Sequence, residues 1–101
     1  MSNLDIETVS RRIKPILRKF GVKRAGIFGS VARGENIPGS DLDLLIQVEK
    51  TTTLIKLLSL KNVLEDLLKT HVDLVEYSML KPERRDEVLS EEVKIFEEER
   101  S

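Results

Sequence analysis

The chain has 101 residues, 40% of them hydrophobic and 35% charged, with a formal net charge of −1. That length fits one domain spanning residues 1–101, and so few aromatic residues (three Phe, one Tyr, no Trp) leave the core to aliphatic side chains. A near-neutral balance speaks against a direct nucleic-acid binder with a basic footprint, and the absence of cysteine removes disulfides and thiolate metal sites. No apolar run approaches the roughly 20 residues of a membrane span, and MSNLDIETVS lacks a signal-peptide pattern, so a cytoplasmic protein is expected.

In chain order, Ile6, Val9, Ile13, Ile16, Leu17 and Phe20 recur at helical spacing and predict a helix over 4–20, capped by Asp5 or Asn3 and ended by Gly21. Pro15 falls inside it and should bend the helix or mark a break near Ile13. VKRAGIF, residues 22–28, reads as a short buried strand running into Gly29. Ser30 to Arg33 can form one helical turn, and residues 34–39, with Asn, Pro and two Gly, form a loop. DLDLLIQV, residues 41–48, reads as a strand with Leu42, Leu44, Ile46 and Val48 on one face and Asp41, Asp43 and Leu45 on the other.

The segment 52–69 predicts a long helix with one of Thr51, Thr52 and Thr53 at its cap. Its apolar stripe is Leu54, Leu57, Leu58, Leu64, Leu67 and Leu68, widened by Leu60 and Val63. VDLVEY, residues 72–77, is a third strand. Pro82 suits the first turn of a last helix near 82–90. Residues 91–98 either extend that helix or form a short strand; the pattern leaves both open. No repeat or linker divides the chain.

Three carboxylates stand out. Aspartate is depleted in strands, yet Asp41 and Asp43 open a strand on one face, about 6.5–7 Å apart at Cα. Asp73, near the start of the third strand, joins them if that strand neighbours the second. Like charges at such range repel, and a cluster of them calls for protons or cations. All-oxygen ligands favour a hard cation, Mg²⁺ first and Mn²⁺ as substitute, and Mg²⁺ fills its remaining positions with water and phosphate oxygens. Gly29-Ser30, between a strand and a helical turn, offers backbone N–H groups, a hydroxyl and close approach for phosphate. Taken singly, each feature has a plainer reading: a turn for Gly-Ser, solvated charges for the aspartates, a surface residue for Arg33. Their joint order and spacing favour a nucleoside triphosphate site.

At these residues the sequence resembles the minimal nucleotidyltransferase (MNT) family of the DNA polymerase β-like superfamily, whose pattern is Gly-Ser, ten residues, then Asp-x-Asp. Here that is Gly29-Ser30, residues 31–40 and Asp41-Leu42-Asp43, within GSVARG followed by SDLDL. Asp73 in VDLVE matches the family's third carboxylate. The resemblance implies an α/β (α+β) fold, a small mixed β-sheet flanked by helices. It implies two-metal nucleotidyl transfer from ATP, with Asp41 and Asp43 on both Mg²⁺ ions and Asp73 on the ion beside the attacking group. Gly29 and Ser30 would contact the β- and γ-phosphates, and Arg33 would either touch the triphosphate or brace its loop.

A chain that ends soon after the third carboxylate has no acceptor domain of the larger relatives, so the resemblance implies an acceptor on another protein. MNT proteins are often paired with a HEPN-type RNase toxin, which points to an antitoxin that transfers AMP to that toxin, in a homo- or hetero-oligomer. A silent antitoxin acting by contact and a small-molecule nucleotidyltransferase are the alternatives. Lys81, Arg84 and Arg85 read first as a solvated helix face, Ser40 as a turn residue, His71 as a surface or turn histidine and Tyr77 as a surface or interface aromatic.

Overall fold

The computed structural model describes residues 5–35 and 41–98. The first helix, α1, runs Ile6–Lys19. Asp5 caps it, its carboxylate accepting the Thr8 N–H at 2.8 Å, which holds that carboxyl below the usual range. Of the bend or break expected at Pro15, the break near Ile13 does not occur: the helix is continuous through Pro15. Val9 and Ile13 before the proline and Leu17 after it are all buried, so packing of one seam outweighs the backbone bond that Pro15 cannot make. Gly21, at φ +76°, then turns the chain.

Strand β1 is Val22–Phe28, followed by the single turn α2, Gly29–Ala32. Strand β2, Leu42–Val48, lies antiparallel to β1. Helix α3, Leu54–Leu68, is capped by Thr53, whose hydroxyl accepts the Lys56 N–H at 3.1 Å. It crosses over to β3, Val72–Glu76, which pairs parallel with β2. A 3₁₀ turn, Tyr77–Met79, leads into α4, Pro82–Glu91, and β4, Val93–Glu97, returns antiparallel to β1. The question left open over 91–98 is thus settled as a strand. The sheet order is β3-β2-β1-β4, a mixed four-stranded sheet flanked by helices.

One sheet face and two helices make the main core. Val9, Ile13 and Leu17 of α1 and Leu60, Leu64 and Leu68 of α3 pack with Ala25, Ile27, Leu42, Leu44, Ile46 and Phe96. The stripe expected on α3 is therefore too wide: Leu54, Leu58 and Val63 are exposed, and the seam runs through Leu57, Leu60, Leu64, Leu67 and Leu68. Fifteen helical residues carry more leucine than one contact face can cover. The opposite sheet face carries Arg24, Gly26, Phe28, Asp43 and Leu45 by alternation. Leu45 and Val88 of α4 are buried outside the main cluster, which places α4 over this second face.

The last turn of α3 is tied to the first residue of β3. The Glu65 carboxylate accepts the Val72 N–H at 2.9 Å and is held below the usual range mainly by that bond. His71, in the turn between, is exposed as expected and lies 3.7 Å from Glu65.

Candidate active site

The sequence brings the candidate residues to one end of the second sheet face. There β1 ends, and β2 and β3 both begin. Register sets the arrangement: Asp43 pairs with Phe28 on one side and with Asp73 on the other. Paired residues on neighbouring strands project to the same face, so Asp43 and Asp73 stand side by side and Gly29 follows directly after Phe28. The Leu42 N–H donates to the His71 carbonyl at 2.9 Å, locking the two strand starts together. Asp41 precedes this strand and is exposed.

Asp43 is the most enclosed of the three carboxylates. Burial pushes its carboxyl up from the usual range, the charges of Asp73 and Asp41 push the same way, and the Arg33 guanidinium opposes them. Gly29 makes the enclosure possible. It sits at φ +78°, and a Cβ on it would lie 2.2 Å from the Asp43 Oδ2. The glycine of the Gly29-Ser30 turn is thus also the residue against which the Asp43 carboxylate packs.

Among the described residues, no three His, Cys, Asp or Glu side chains are gathered tightly enough to close on an ion. The aspartates form a row with like charges spread, rather than a closed cage. The donor set still suits magnesium, which takes one or two carboxylates and completes its octahedron with water and phosphate. Asp43 with Asp73 beside it supplies two such carboxylates, all oxygen, on an open face, and Asp41 is close enough for its charge to act on Asp43.

After the turn α2, the Arg33 N–H donates to the Gly29 carbonyl at 3.1 Å and the Glu35 N–H to the Ser30 carbonyl at 2.9 Å. The Arg33 guanidinium is held by two carboxylates, Glu35 and Glu91, at 3.0 Å each. It braces the turn against α4, and its charge opposes the upward push on the Asp43 carboxyl. Ser40 and the rest of 36–40 lie outside the described residues. Lys81, at the N-cap of α4, and Arg84 and Arg85 on it are exposed, as the sequence suggested.

Sequence reasoning missed a second polar group on the same face. Tyr77 is half-buried rather than at the surface. Its hydroxyl donates to the Glu92 carboxylate, and the Arg24 guanidinium stacks over its ring at 4.6 Å. Burial and the Glu92 carboxylate push its phenol well up. Arg24 also meets Glu92 at 3.4 Å, and Gly26 leaves room for that carboxylate, which a Cβ would strike at 2.0 Å. The isolated Gly inside VKRAGIF was the available signal of a close approach. The cluster lies toward the far end of the face from Asp43.

Residues 10–98 match the model of the nucleotidyltransferase domain family. A protein of Methanocaldococcus jannaschii that bears the provisional name protein adenylyltransferase is 41% identical over 93 residues, 92% of this chain and 100% of that one. The protein adenylyltransferase MntA of Thermococcus cleftensis is 42% identical over 90 residues, 88% of this chain and 91% of that one. A solved structure described as a minimal nucleotidyltransferase superposes with a TM-score of 0.79 at 40% identity, covering 92% of this chain and 98% of the other. The MNT antitoxin complex with a tri-AMPylated HEPN toxin of Shewanella oneidensis shares the fold, with a TM-score of 0.70 at 19% identity over 91% of this chain and 72% of the other.

Proposed function

From the chain's membership of the nucleotidyltransferase domain family, we propose that it transfers AMP from ATP to a side-chain hydroxyl of another protein, a HEPN-type RNase toxin, as that toxin's antitoxin. The single observation that carries this reading is Asp43, pinned between Gly29 and Asp73 on an open sheet end. A binding module has no use for a carboxylate raised by burial and by two like charges.

In this reading Asp41, Asp43 and Asp73 are the residues that would hold Mg²⁺, Asp41 and Asp43 shared between two ions and Asp73 serving one. Those ions, when bound, activate the attacking oxygen and stabilise the departing pyrophosphate. The backbone at Gly29 and the Ser30 hydroxyl seat the β- and γ-phosphates. Arg33, held by Glu35 and Glu91, keeps the turn in place and adds positive charge near Asp43. The acceptor oxygen bonds to the α-phosphorus, the bond to the β-phosphate oxygen breaks, and Asp73 takes the hydroxyl proton. The Thermococcus protein's name supports protein adenylylation, and the Shewanella complex supports a HEPN acceptor. Among the described residues no helix is long and apolar enough to cross a membrane.

The test uses ATP labelled at the α-phosphate, Mg²⁺, and lysate of the chain's own host, beside the Asp41→Asn/Asp43→Asn variant and γ-labelled ATP. A protein band from the α-label alone, and only with the native chain, is expected. A band from the γ-label would mean phosphoryl transfer and refute the mechanism. Neutralisation of the toxin by the double variant would instead establish an antitoxin acting by contact.

A further inference from the structure

Two adjacent glutamates at the end of α4 reach in different directions. Glu92 goes inward: its side chain is 5% exposed, with the Arg24 guanidinium at 3.4 Å and the Tyr77 hydroxyl donating to it. Glu91, the last residue of the helix, reaches the Gly29-Ser30 turn, where its carboxylate accepts from Arg33 Nη1 at 3.0 Å. Arg33 Nε donates to Glu35 at 3.0 Å. The Glu35 bond is local to the turn. The Glu91 bond spans 58 positions, and among the described residues it is the one ion pair that joins α4 to this turn.

We propose that Glu91 is a positioning residue of the transfer site, holding the Gly29-Ser30 turn through Arg33, and that buried Glu92 is the anchor that sets Glu91 in place. The inference rests on the reading of that turn as the seat of the triphosphate. A buried carboxylate does not leave its partners cheaply, and Glu92 has two, in space that Gly26 provides. Val88, one helical turn before Glu91, is buried as well. Glu92 and Val88 together fix the end of α4, and with it the backbone of Glu91. The Arg33–Glu91 pair is exposed by 44% and 34%, so it contributes little to global stability. Its effect is geometric. A guanidinium held by carboxylates on two sides keeps one rotamer, and the Arg33 N–H is bonded to the Gly29 carbonyl. The turn is thereby braced from outside itself, as a binding constellation requires.

Charge alone argues for the opposite effect. A carboxylate beside a triphosphate seat repels the ligand, so its removal should tighten binding. Positioning requires weaker binding. The two roles differ in sign, and one measurement separates them.

The test uses the full chain and four variants: Glu91→Gln, Tyr77→Phe, the two combined, and Glu87→Gln. Glu87 lies exposed on the turn of α4 before Glu91 and controls for lost charge. Affinity for a non-hydrolysable ATP analogue with Mg²⁺ is measured by calorimetry. Transfer of the α-label to the purified HEPN-type protein of the same host gives KM for ATP and kcat. Thermal melts show that each variant is folded at the assay temperature.

Glu91→Gln should bind the analogue about fivefold more weakly, the difference between a charge-assisted and a neutral hydrogen bond. KM for ATP should rise in step with kcat within about twofold, and Tm should stay within roughly 4 °C of native. Tyr77→Phe, which loosens Glu92, should weaken binding on its own and add nothing to Glu91→Gln. Unchanged or tighter binding by Glu91→Gln, or an equal loss in Glu87→Gln, would overturn the positioning role and leave the nucleotide seat standing. Native-like binding by Tyr77→Phe, or losses that multiply in the combined variant, would overturn the anchor. If the native chain binds the analogue but transfers no AMP, the transfer reading fails, and the fivefold loss still upholds Glu91. A native chain that does not bind the analogue overturns both.

Discussion

Replacing Gly29 with alanine tests the packing at the heart of the site. A side chain held at φ +78° costs about 1–3 kcal/mol of backbone strain. The new Cβ also meets Asp43, at 2.2 Å from Oδ2, 3.1 Å from Cγ and 3.3 Å from Cβ. Asp43 sits on an inner strand, so relief comes from turning its side chain off its rotamer, at about 0.5–1.5 kcal/mol. Together about 2–4 kcal/mol is lost, which for a domain of this size lowers Tm by roughly 10–25 °C. Nucleotidyl transfer falls further, because a displacement of about 1 Å in a reacting constellation costs around 10²-fold. Thermal melts of Gly29→Ala, Asp43→Ala and the double variant measure the contact itself. Removing the carboxylate removes the clash but not the strain, so the double variant is more stable than the sum of single losses predicts. Additivity within about 0.4 kcal/mol, or transfer by Gly29→Ala within threefold of native, would refute the reasoning.

Asp43→Asn should abolish transfer while raising stability at pH 7. In the folded chain its carboxyl is pushed up from 3.8, so the folded state keeps the proton to higher pH than the unfolded one. Its contribution is unfavourable above that window and fades as pH falls toward 3.8. The gain is on the order of 1 kcal/mol for half-exposed like charges about 5 Å apart; equal melts at pH 7 would contradict it. Glu65 has the opposite sign, since its folded carboxyl lies below 4.5. Its stabilisation is complete above 4.5 and lost as pH falls through the folded value, so Tm should drop with acid more steeply in native protein than in Glu65→Gln; parallel pH profiles would refute this. Leu64→Ala, at a fully buried position, should cost about 2–5 kcal/mol in denaturant unfolding, whereas Leu54→Ala should stay within about 0.5 kcal/mol. Comparable losses would mean that α3 presents a different face to the core.

Elements with one clean period were legible from sequence. Strand β1 occupies the segment expected, VKRAGIF, and α1 shows its 3.6-residue seam. Strand β4 was ambiguous because Ile95 and Phe96 are buried in succession, which breaks the alternation. The register shift between Ala25 and Gly26 against β4 permits this, and it leaves no local signature. The excess leucines of α3 hid which stripe faces inward. For the site, the spacing from Gly29 to Asp43 revealed the candidates because a hairpin joins them. The grip on Arg33 could not be read, since Glu91 reaches it from 58 positions away. The seat of Glu92 over Gly26 was hidden for the same reason: long-range packing, rather than pattern, puts them together.

The parallel pairing of β2 with β3 has a kinetic consequence. Gly29 and Asp43 come together through a hairpin, whereas Asp43 and Asp73 lie thirty positions apart (73 − 43) and meet only when the α3 crossover closes. Closing a loop of that length costs about 3 kcal/mol in chain entropy, and β3 has five residues and one strand neighbour to hold it. Detachment of β3 is therefore a cheaper excursion than global unfolding. It separates Asp73 from Asp43 while the β1–β2 hairpin stays intact. A partly opened chain can thus present its Gly-Ser turn and Asp43 without Asp73, so in the proposed reaction competence depends on the closure of β3 on β2.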